Sequence, residues 1–401
     1  MKLHRNIKLL TWFNFFTDFR PYAPVAIIYF ASVTGSYSLG LAVFSIEMLS
    51  ASIFELPTGI LSDFIGRRKT IIFGALMAVL TLICYAVGTN FLILMIGSIF
   101  AGLARSFYSG NNEAFLHDSL KEYGQEEDYA EHSGKTSSMF QWALAGSALF
   151  GGIVAYFSFS VVMWLSLIPQ LICLYISFLM IEPKIQDKSD KTNIYSHIKE
   201  AILKFKENSK LRLLSIASVF DYGVGETMYQ FSSAFIALLW PVWAVGIYRM
   251  LSNILAAIGM NISGKVIKKC GYFKSFMPSK IYSHIVSLVA VIFPTVFSPL
   301  LMASSSFSYG IGSVAQNSMF QKEFTDKQRA TMGSLNSLAG NLFFALFAFL
   351  FGFIADKLSP GQALIIGELI VLPVILIYWR LFKKDISVPV AKIDHNAKSH
   401  P

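Results

Sequence analysis

The sequence contains twelve apolar stretches, each long enough to cross a lipid bilayer as a helix. A membrane-spanning helix needs about 20 mostly apolar residues to cross about 30 Å of hydrocarbon. The stretches cover approximately residues 9–31, 38–60, 70–88, 91–112, 136–157, 161–181, 212–232, 239–262, 275–293, 298–318, 331–353 and 361–381. They predict an all-α membrane protein with twelve transmembrane helices.

The composition agrees with this prediction and excludes other classes. Hydrophobic residues make up 54% of the 401 residues, and charged residues only 14%. Soluble domains carry about 25% charged residues, so this chain has too little polar surface for a soluble fold. Cys84, Cys173 and Cys270 are far apart and show neither a metal-ligand spacing nor a disulfide framework. We therefore expect no metal site and no cofactor.

The positive charges are distributed unevenly between the two predicted sides of the membrane. Twenty-nine of the 33 Lys and Arg residues fall at the termini or in loops after even-numbered segments, including five between 265 and 280. Only Lys357 lies on the other side. The positive-inside rule therefore predicts a multi-pass protein of the cell membrane with cytoplasmic N- and C-termini. The asymmetry accounts for the net charge of +9 without a nucleic-acid partner.

One long interior loop divides the twelve segments into two sets of six. The predicted organisation is a six-helix bundle at 1–181, a linker at 182–211, a second six-helix bundle at 212–381 and a cytoplasmic tail at 382–401. Apolar residues recur at helical spacing among the lysines of the linker. This pattern predicts a short amphipathic helix at the cytoplasmic interface.

The two sets of six segments show a weak internal repeat with an offset of 205 residues. The identities pair Gly59 with Gly264, Gly66 with Gly271, Asn112 with Asn317 and Phe115 with Phe320. The glycines fall in matching loops, and the other two pairs fall at the ends of the fourth and tenth segments. Many secondary transporters are built from such repeats, with a substrate site near the bilayer midplane between them.

The loop between the second and third segments carries a recognisable motif. It reads Gly59-Ile60-Leu61-Ser62-Asp63-Phe64-Ile65-Gly66-Arg67-Arg68-Lys69-Thr70. This loop resembles the signature G-x-L-x-D-x-x-G-R-[RK] of the major facilitator superfamily, and every specified position matches. The resemblance covers essentially the whole chain. It implies a monomeric transporter that is not an enzyme, binds a small-molecule substrate and works by alternating access.

The resemblance also implies a cytoplasmic gate. Its candidate residues are Gly59, Asp63, Gly66, Arg67, Arg68, Glu113 and Asp118. Asp63 is a carboxylate at the C-terminal end of a helix, where the helix dipole disfavours it, so it needs a partner. The two arginines can form bidentate pairs with carboxylates, for which Glu113 and Asp118 are the candidates. The alternative is that the basic residues only orient the topology.

The sequence departs from the family pattern at two places that bear on which branch of the superfamily it resembles. The fourth segment has Ser98 where the family pattern places an arginine, and Arg105 follows seven residues later. The fifth segment keeps the Gly151-Gly152 pair of the antiporter motif G-P-x-x-G-G but lacks its Gly-Pro. The nearest motif resemblance remains the drug/proton antiporter branch.

Seven ionisable residues inside the predicted segments are candidates for proton coupling or for lining the substrate cavity. They are Asp18, Arg20, Glu47, Arg105, Asp221, Glu226 and Arg249, with Glu368 as a further possibility. Each costs about 2.5–3.5 kcal/mol to insert at mid-bilayer. A partly desolvated carboxylate beside an arginine can take up and release a proton, and Asp18, Glu47 and Asp221 are the leading candidates. For any one residue, the alternative is a structural ion pair that never titrates.

The preferred function is secondary active transport, with proton-coupled efflux of small amphipathic or drug-like compounds. The alternative is a proton-coupled importer of a nutrient, a metabolite or a siderophore-like compound. No Gly-x-x-x-x-Gly-Lys loop occurs, which argues against an ATP-driven pump. A membrane-embedded enzyme would need clustered His or Asp residues, and the sequence shows no such cluster, which argues against this class. Charges dispersed over both halves fit alternating access better than a channel.

Overall fold

A computed structural model describes residues 2–122, 124–125, 129–184, 209–322 and 326–382. The helices are α1 (Lys2–Asp18), α2 (Ala26–Thr34), α3 (Tyr37–Ile65), α4 (Arg67–Val87), α5 (Phe91–Tyr108), α6 (Asn111–Lys121), α7 (Tyr129–Phe157), α8 (Phe159–Leu179), α9 (Ser209–Leu239), α10 (Val242–Cys270), α11 (Tyr272–Ile292), α12 (Ser298–Lys322), α13 (Asp326–Lys357) and α14 (Pro360–Phe382). Within the described ranges, nine spans are long and apolar enough to cross a membrane. The predicted all-α membrane fold is confirmed. The side on which the termini lie stays a prediction.

Three of the twelve predicted spans are not among these nine, the first because its two helices have only 17 and 9 residues. Among the described residues they are the first span, formed by α1 and α2, the seventh, formed by α9, and the tenth, formed by α12. The first carries Asp18 and Arg20, the seventh carries Asp221 and Glu226, and the tenth carries a serine-rich run and Gln316. Polar groups at membrane depth face the interior of a bundle or a water-filled cavity. These spans are therefore the ones expected to line a solute pathway.

The first span is broken rather than continuous. α1 ends at Asp18, and α2 begins at Ala26 after a single turn of 3₁₀-helix. Pro21 and Pro24 explain the break, because proline has no N–H and its ring clashes with the preceding helical turn. On a continuous helix Asp18 and Arg20 would point in different directions. Because the helix ends between them, the Arg20 guanidinium instead lies 3.9 Å from the Asp18 carboxylate.

Neighbouring side chains satisfy the backbone groups that this break frees. Gln170 of α8 donates a hydrogen bond to the carbonyl of Phe16 at 3.3 Å, and the Arg20 Nε donates to a carbonyl in the last turn of α1. The backbone N–H of Tyr22 donates to the hydroxyl of Ser166 at 3.1 Å. Unpaired backbone groups are costly at membrane depth, so these contacts make the broken helix tolerable there.

The Gly151-Gly152 pair lets α7 pack closely on both sides. A Cβ atom on Gly151 would lie only 1.7 Å from the carbonyl oxygen of Pro21, at the break in the first span. A Cβ atom on Gly152 would lie 2.6 Å from the Cα of Gly246 in α10. The glycine pair shared with the antiporter motif therefore has a packing role in this protein.

One glycine pair of the internal repeat has the same backbone conformation, whereas Gly59 and Gly264 lie inside α3 and α10 rather than in loops. Gly66 separates α3 from α4 with φ +98° and ψ +158°, and Gly271 separates α10 from α11 with φ +86° and ψ +163°. Both φ values lie in the positive region that residues other than glycine rarely adopt. Two residues that are 205 positions apart thus make the same turn between consecutive helices.

The described residues form two compact units. The first contains 2–184, 230–250 and 345–357, and the second contains 209–229, 251–344 and 358–382, apart from the gaps already given. A buried core in the first unit joins α1, α4, α6 and α8 around Phe13, Phe115 and Cys173. The predicted division into two six-helix bundles stays a prediction. Most of the predicted linker, with its amphipathic helix, and nearly all of the tail lie outside the described residues.

Candidate functional site

The signature loop is organised around the N-terminus of α4. Glu182, which follows α8, accepts hydrogen bonds from the backbone N–H groups of Arg67 at 2.6 Å and Arg68 at 2.9 Å. These N–H groups have no partner within the helix, and the helix dipole favours a negative charge beside them. A Cβ atom on Gly66 would lie 2.8 Å from the Glu182 carboxylate, so the glycine leaves room for this cap.

α1 holds Glu182 in position. The side-chain amide of Asn6 donates to the carbonyl of Ile181 at 2.9 Å and accepts from its backbone N–H at 3.1 Å. Arg5 donates to the carbonyl of Leu179. No motif in the sequence marks Glu182 as a functional residue. The available signal was its position directly after an apolar segment and before the helix-ending Pro183.

Arg67 connects three helices at this loop. Its Nε atom lies 3.5 Å from the carboxylate of Asp118, which is only 2% exposed. Its NH1 atom donates to the hydroxyl of Ser62 at 2.9 Å, and its carbonyl accepts from Asn111 at 3.1 Å. The hydroxyl of Ser62 in turn donates to Asn111. The network ties α3, α4 and α6 together, and Arg67 and Asp118 are two of the predicted gate residues.

The other predicted gate residues are less closely engaged. Arg68 donates to the carbonyl of Phe178 at 2.8 Å rather than to a side-chain carboxylate. The side chain of Glu113 is exposed on α6, and Gly59 faces open space. Asp63 lies on α3, but its side chain is outside the part of the chain that the structure describes. The gate role of this set stays a prediction.

Four predicted site residues come together where the first span is broken. Asp18 and Arg20 lie beside the break, and Glu47 of α3 is close enough to interact electrostatically with Arg20. Arg105 of α5 interacts in the same way with Asp18. α5 packs tightly here, since a Cβ atom on Gly102 would lie 2.5 Å from the carbonyl of Glu47. Two carboxylates and two guanidinium groups leave the cluster formally neutral.

A second cluster, which we call the Asp221 cluster, contains Asp221, Lys280, Gln316 and Tyr378. The Lys280 ammonium group bonds to one Asp221 carboxylate oxygen, and Gln316 donates to the other at 3.2 Å. Gln316 also donates to the Tyr378 hydroxyl at 2.7 Å. The side chains of Asp221 and Lys280 are only 11% and 16% exposed. α9, α11, α12 and α14 each contribute one residue.

The charge distribution counts Lys280 among the residues of a cytoplasmic loop, whereas the structure places it inside a helix. Lys280 lies within α11, which is apolar and long enough to cross a membrane. One turn further along α11, the Nδ1 atom of His284 lies 2.5 Å from the carboxylate of Glu368 in α14. The Nε2 atom of His284 is buried and has no hydrogen-bond partner among the described residues. The i, i+4 spacing of two basic side chains within an apolar segment was the signal that could have identified both residues.

Arg249 and Glu226 complete the predicted set. Arg249 is 4% exposed on α10, and its Nε atom donates to the hydroxyl of Ser233 at 2.9 Å. Its NH2 atom reaches the carbonyl of Gln230 at 3.3 Å. Glu226 is half-buried on α9. Within the described ranges, no group of three His, Cys, Asp or Glu side chains could hold a metal ion.

Apolar spanning helices, buried charge clusters and a structured loop with the signature motif define a polytopic membrane transport protein. The family model of the Major Facilitator Superfamily matches residues 9–346, so the chain belongs to this family of transporters, which are not enzymes. MFS-type transporter MJ1560 of Methanocaldococcus jannaschii is 22% identical over 370 residues, covering 89% of this chain and 93% of that protein. MFS-type transporter YxaM of Bacillus subtilis is 22% identical over 391 residues, covering 92% and 95%.

Solved structures share the same fold. The nucleoside transporter NupG has a TM-score of 0.81 at 15% identity, covering 96% of this chain and 100% of that one. A bacterial homologue of the human lysosomal transporter Spinster, in an inward-facing and unoccupied conformation, has a TM-score of 0.72 at 16% identity, covering 97% and 98%. At these identities the likeness shows the fold alone.

Proposed function

We propose that this protein is a proton-coupled secondary transporter that moves a small organic solute by alternating access. Family membership supports transport, and the Asp221 cluster is the observation that carries the proposal of coupling. The side chains of Asp221 and Lys280 are mostly buried on two predicted spanning helices and pair with each other. Adding a proton to Asp221 would leave the Lys280 charge without its counter-ion, which is costly in a medium of low dielectric constant. Proton uptake is therefore expected to rearrange this cluster.

The pairing of Asp221 with a lysine rather than an arginine also supports coupling. A buried lysine changes its protonation state readily, whereas arginine stays charged. His284 and Glu368 lie one turn away and add two further titratable groups. The Asp18, Arg20, Glu47 and Arg105 cluster remains the corresponding candidate in the first half of the chain.

For the direction of transport, we retain efflux of small amphipathic or drug-like compounds from the motif resemblance. The alternative, import of a polar metabolite, is favoured by one specific observation. The Asp221 cluster contains an ammonium group, an amide and a phenol, which would pair with a solute that carries several hydrogen-bonding groups once the cluster rearranges. The fold shared with a nucleoside transporter makes nucleosides a reasonable first probe for this alternative.

The test is proton movement in liposomes that contain the purified protein and an internal pH-sensitive dye. Solutes to be screened include amphipathic cations and the nucleosides uridine and adenosine. We expect one class of solute to drive proton movement in wild type, and Asp221→Asn to abolish it. Asp18→Asn and Glu47→Gln test the first-half cluster in the same assay. Glu55→Gln is the matched control for Glu47, because Glu55 lies on the same helix but is exposed.

The sign of the proton flux distinguishes the two candidate functions. Protons that move opposite to the solute indicate antiport and efflux, whereas protons that accompany the solute indicate symport. Solute movement without proton movement in wild type would overturn the coupling proposal. The buried carboxylates would then be structural or would bind the solute directly.

A further inference from the structure

The C-terminal end of α13 caps the N-terminus of α3. Asp356 accepts hydrogen bonds from the backbone N–H groups of Tyr37 at 2.6 Å and Ser38 at 3.0 Å. It also accepts one from the hydroxyl of Ser36 at 3.0 Å. A carboxylate from a helix more than 300 residues away in sequence thus occupies the place of a local helix cap. We call this arrangement the Asp356 cap.

The Asp356 cap completes the hydrogen bonding of the first turn of α3. The first four N–H groups of a helix have no partner within the helix. The hydroxyl of Ser36 accepts from Leu39 at 3.1 Å, and the carbonyl of Ser36 accepts from Gly40 at 3.0 Å. Asp356 accepts from the other two. Withdrawal of Asp356 would therefore leave the N–H groups of Tyr37 and Ser38 to water, since no other acceptor for them is found among the described contacts.

The packing around the cap brings α3 and α13 into close contact. A Cβ atom on Gly352 would lie 2.5 Å from the Cα of Ser38, so the two backbones nearly touch. Two turns further along α3, the hydroxyl of Ser45 donates to the carbonyl of Ala345 at 2.9 Å. Ser45 is only 5% exposed. The contact thus runs from an exposed carboxylate at one end to a buried serine.

An aromatic side chain of α9 joins the same contact. The ring of Phe231 lies edge to face with Tyr37 of α3 and with Phe351 of α13, each at a centroid distance of 5.2 Å. Phe231 and Phe351 are fully buried. Edge-to-face pairs add modest directional stability to buried apolar contacts.

We infer that the Asp356 cap holds α3 and α13 together at the end of α3 opposite the signature loop, and that it must release for this end to open. This inference rests on the alternating-access function proposed above. α3 is 29 residues long, so the cap lies about 43 Å along the helix axis from the turn at Gly66. An exposed carboxylate on backbone N–H groups can exchange its partners for water. The cap therefore stabilises a closed end without fixing it permanently.

The test measures opening through a cysteine at Ser45. The reporter chain carries Ser45→Cys, Cys84→Ser and Cys270→Ser in lipid nanodiscs, where a water-soluble maleimide reaches both faces. We expect slow labelling of the reporter chain. Asp356→Ala should speed labelling about 2- to 30-fold, as expected for the loss of a helix cap. Asp356→Asn should give an intermediate rate because it keeps one acceptor oxygen.

Two controls separate opening from unfolding and from a general charge effect. Cys173 is fully buried in the core, so a chain without the Ser45 substitution should stay unlabelled when it carries Asp356→Ala. Lys357→Gln changes the charge of the adjacent residue, whose ammonium group lies over the Phe353 ring rather than in the cap, and should leave the labelling rate unchanged. Gly352→Ala should raise the rate independently, because its methyl group must push α3 and α13 apart.

The outcomes distinguish this inference from the proposed function. Equal labelling rates with and without the Asp356 substitutions would overturn the role of the cap, whatever the transport assay shows. If Asp356→Ala unfolds the chain and exposes Cys173, the labelling rates of Asp356→Asn and Gly352→Ala are used instead. Rates equal to that of the reporter chain would then overturn the role of the cap. Faster labelling in a protein that transports no solute would support the cap and count against the proposed function alone.

Discussion

At the scale of single residues, two carboxylates cap helix N-termini, a role that their positions in the sequence do not reveal. Glu182 caps α4 and Asp356 caps α3, in each case through two successive backbone N–H groups. Each of these carboxylates is far in sequence from the helix that it caps, so only the folded chain brings acceptor and donors together. Sequence patterns identify local caps such as Ser36, because those lie next to the helix that they cap.

Loss of the Glu182 cap is expected to destabilise the protein. Glu182→Ala should lower the free energy of unfolding by about 1–2 kcal/mol, because two N–H groups of α4 lose a charged acceptor. Thermal unfolding of the purified protein in detergent measures the effect. Glu113→Ala is the control, since the side chain of Glu113 is exposed on α6. Equal losses in the two variants would contradict the capping role.

The Asp221–Lys280 pair predicts a compensating double mutant. Asp221→Leu or Lys280→Met alone leaves one charge without its partner and should cost about 3–5 kcal/mol of stability. The double variant removes both charges and should recover most of this loss in thermal unfolding. It should remain inactive in the liposome assay, because the group proposed to bind the proton is absent. A double variant no more stable than the single ones would argue against direct pairing.

The sequence predicted which of these charges would lie at membrane depth but not their partners. Asp18, Glu47 and Asp221 stand out because a charge within an apolar stretch is rare. Lys280 did not stand out, because it lies near the start of its segment and close to basic loop residues. Its partner is 59 positions away on another helix. Such a pairing depends on helix packing, which a single sequence does not specify.

At the scale of the elements, the break in the first span is the main difference between prediction and structure. Hydropathy measures the average character of a stretch, so the apolar residues on both sides of the break read as one segment. Pro21 and Pro24 indicated a distortion, but bending and complete interruption give the same sequence signal. Whether such a helix breaks depends on neighbours such as Gln170 and Ser166, which satisfy its freed backbone.

Two glycines of α7 should respond differently to the same substitution. Gly151→Ala places a methyl group 1.7 Å from the Pro21 carbonyl and should lower the unfolding temperature clearly or prevent folding. Gly146→Ala meets only the Phe19 ring at 3.5 Å, an ordinary contact, and should be tolerated. Both variants lie on one helix five residues apart, so helix propensity is matched. Size-exclusion profiles and thermal unfolding in detergent give the comparison, which fails if both variants behave alike.

At the scale of the whole molecule, the bilayer itself made the fold predictable. Hydrocarbon thickness fixes the minimum length of a spanning helix, so apolar stretches of that length predict an all-α membrane fold. The signature loop then identified the family, which the match over residues 9–346 confirms. The order of helices around a solute pathway does not follow from hydropathy, because every spanning helix is apolar on the side facing lipid.

The predicted orientation can be tested with a native cysteine. Cys270 is exposed at the end of α10, beside a loop that the charge distribution places in the cytoplasm. A membrane-impermeant maleimide should leave Cys270 unlabelled in intact cells and label it after permeabilisation. Asn90→Cys, in the short connection between α4 and α5, should label in intact cells. The reverse pattern would place both termini outside.

The length of α3 means that its two ends and its middle lie in different solvents. Its 29 residues extend about 43 Å, whereas the hydrocarbon layer is about 30 Å thick. We therefore expect the Asp356 cap and the turn at Gly66 to lie at headgroup depth, where water can take the place of a departing carboxylate. Ion pairs within the hydrocarbon have no such replacement. Bilayer thickness should consequently act on the two ends: longer acyl chains would draw them toward the hydrocarbon and slow their opening, while the buried pairs stay in the same surroundings.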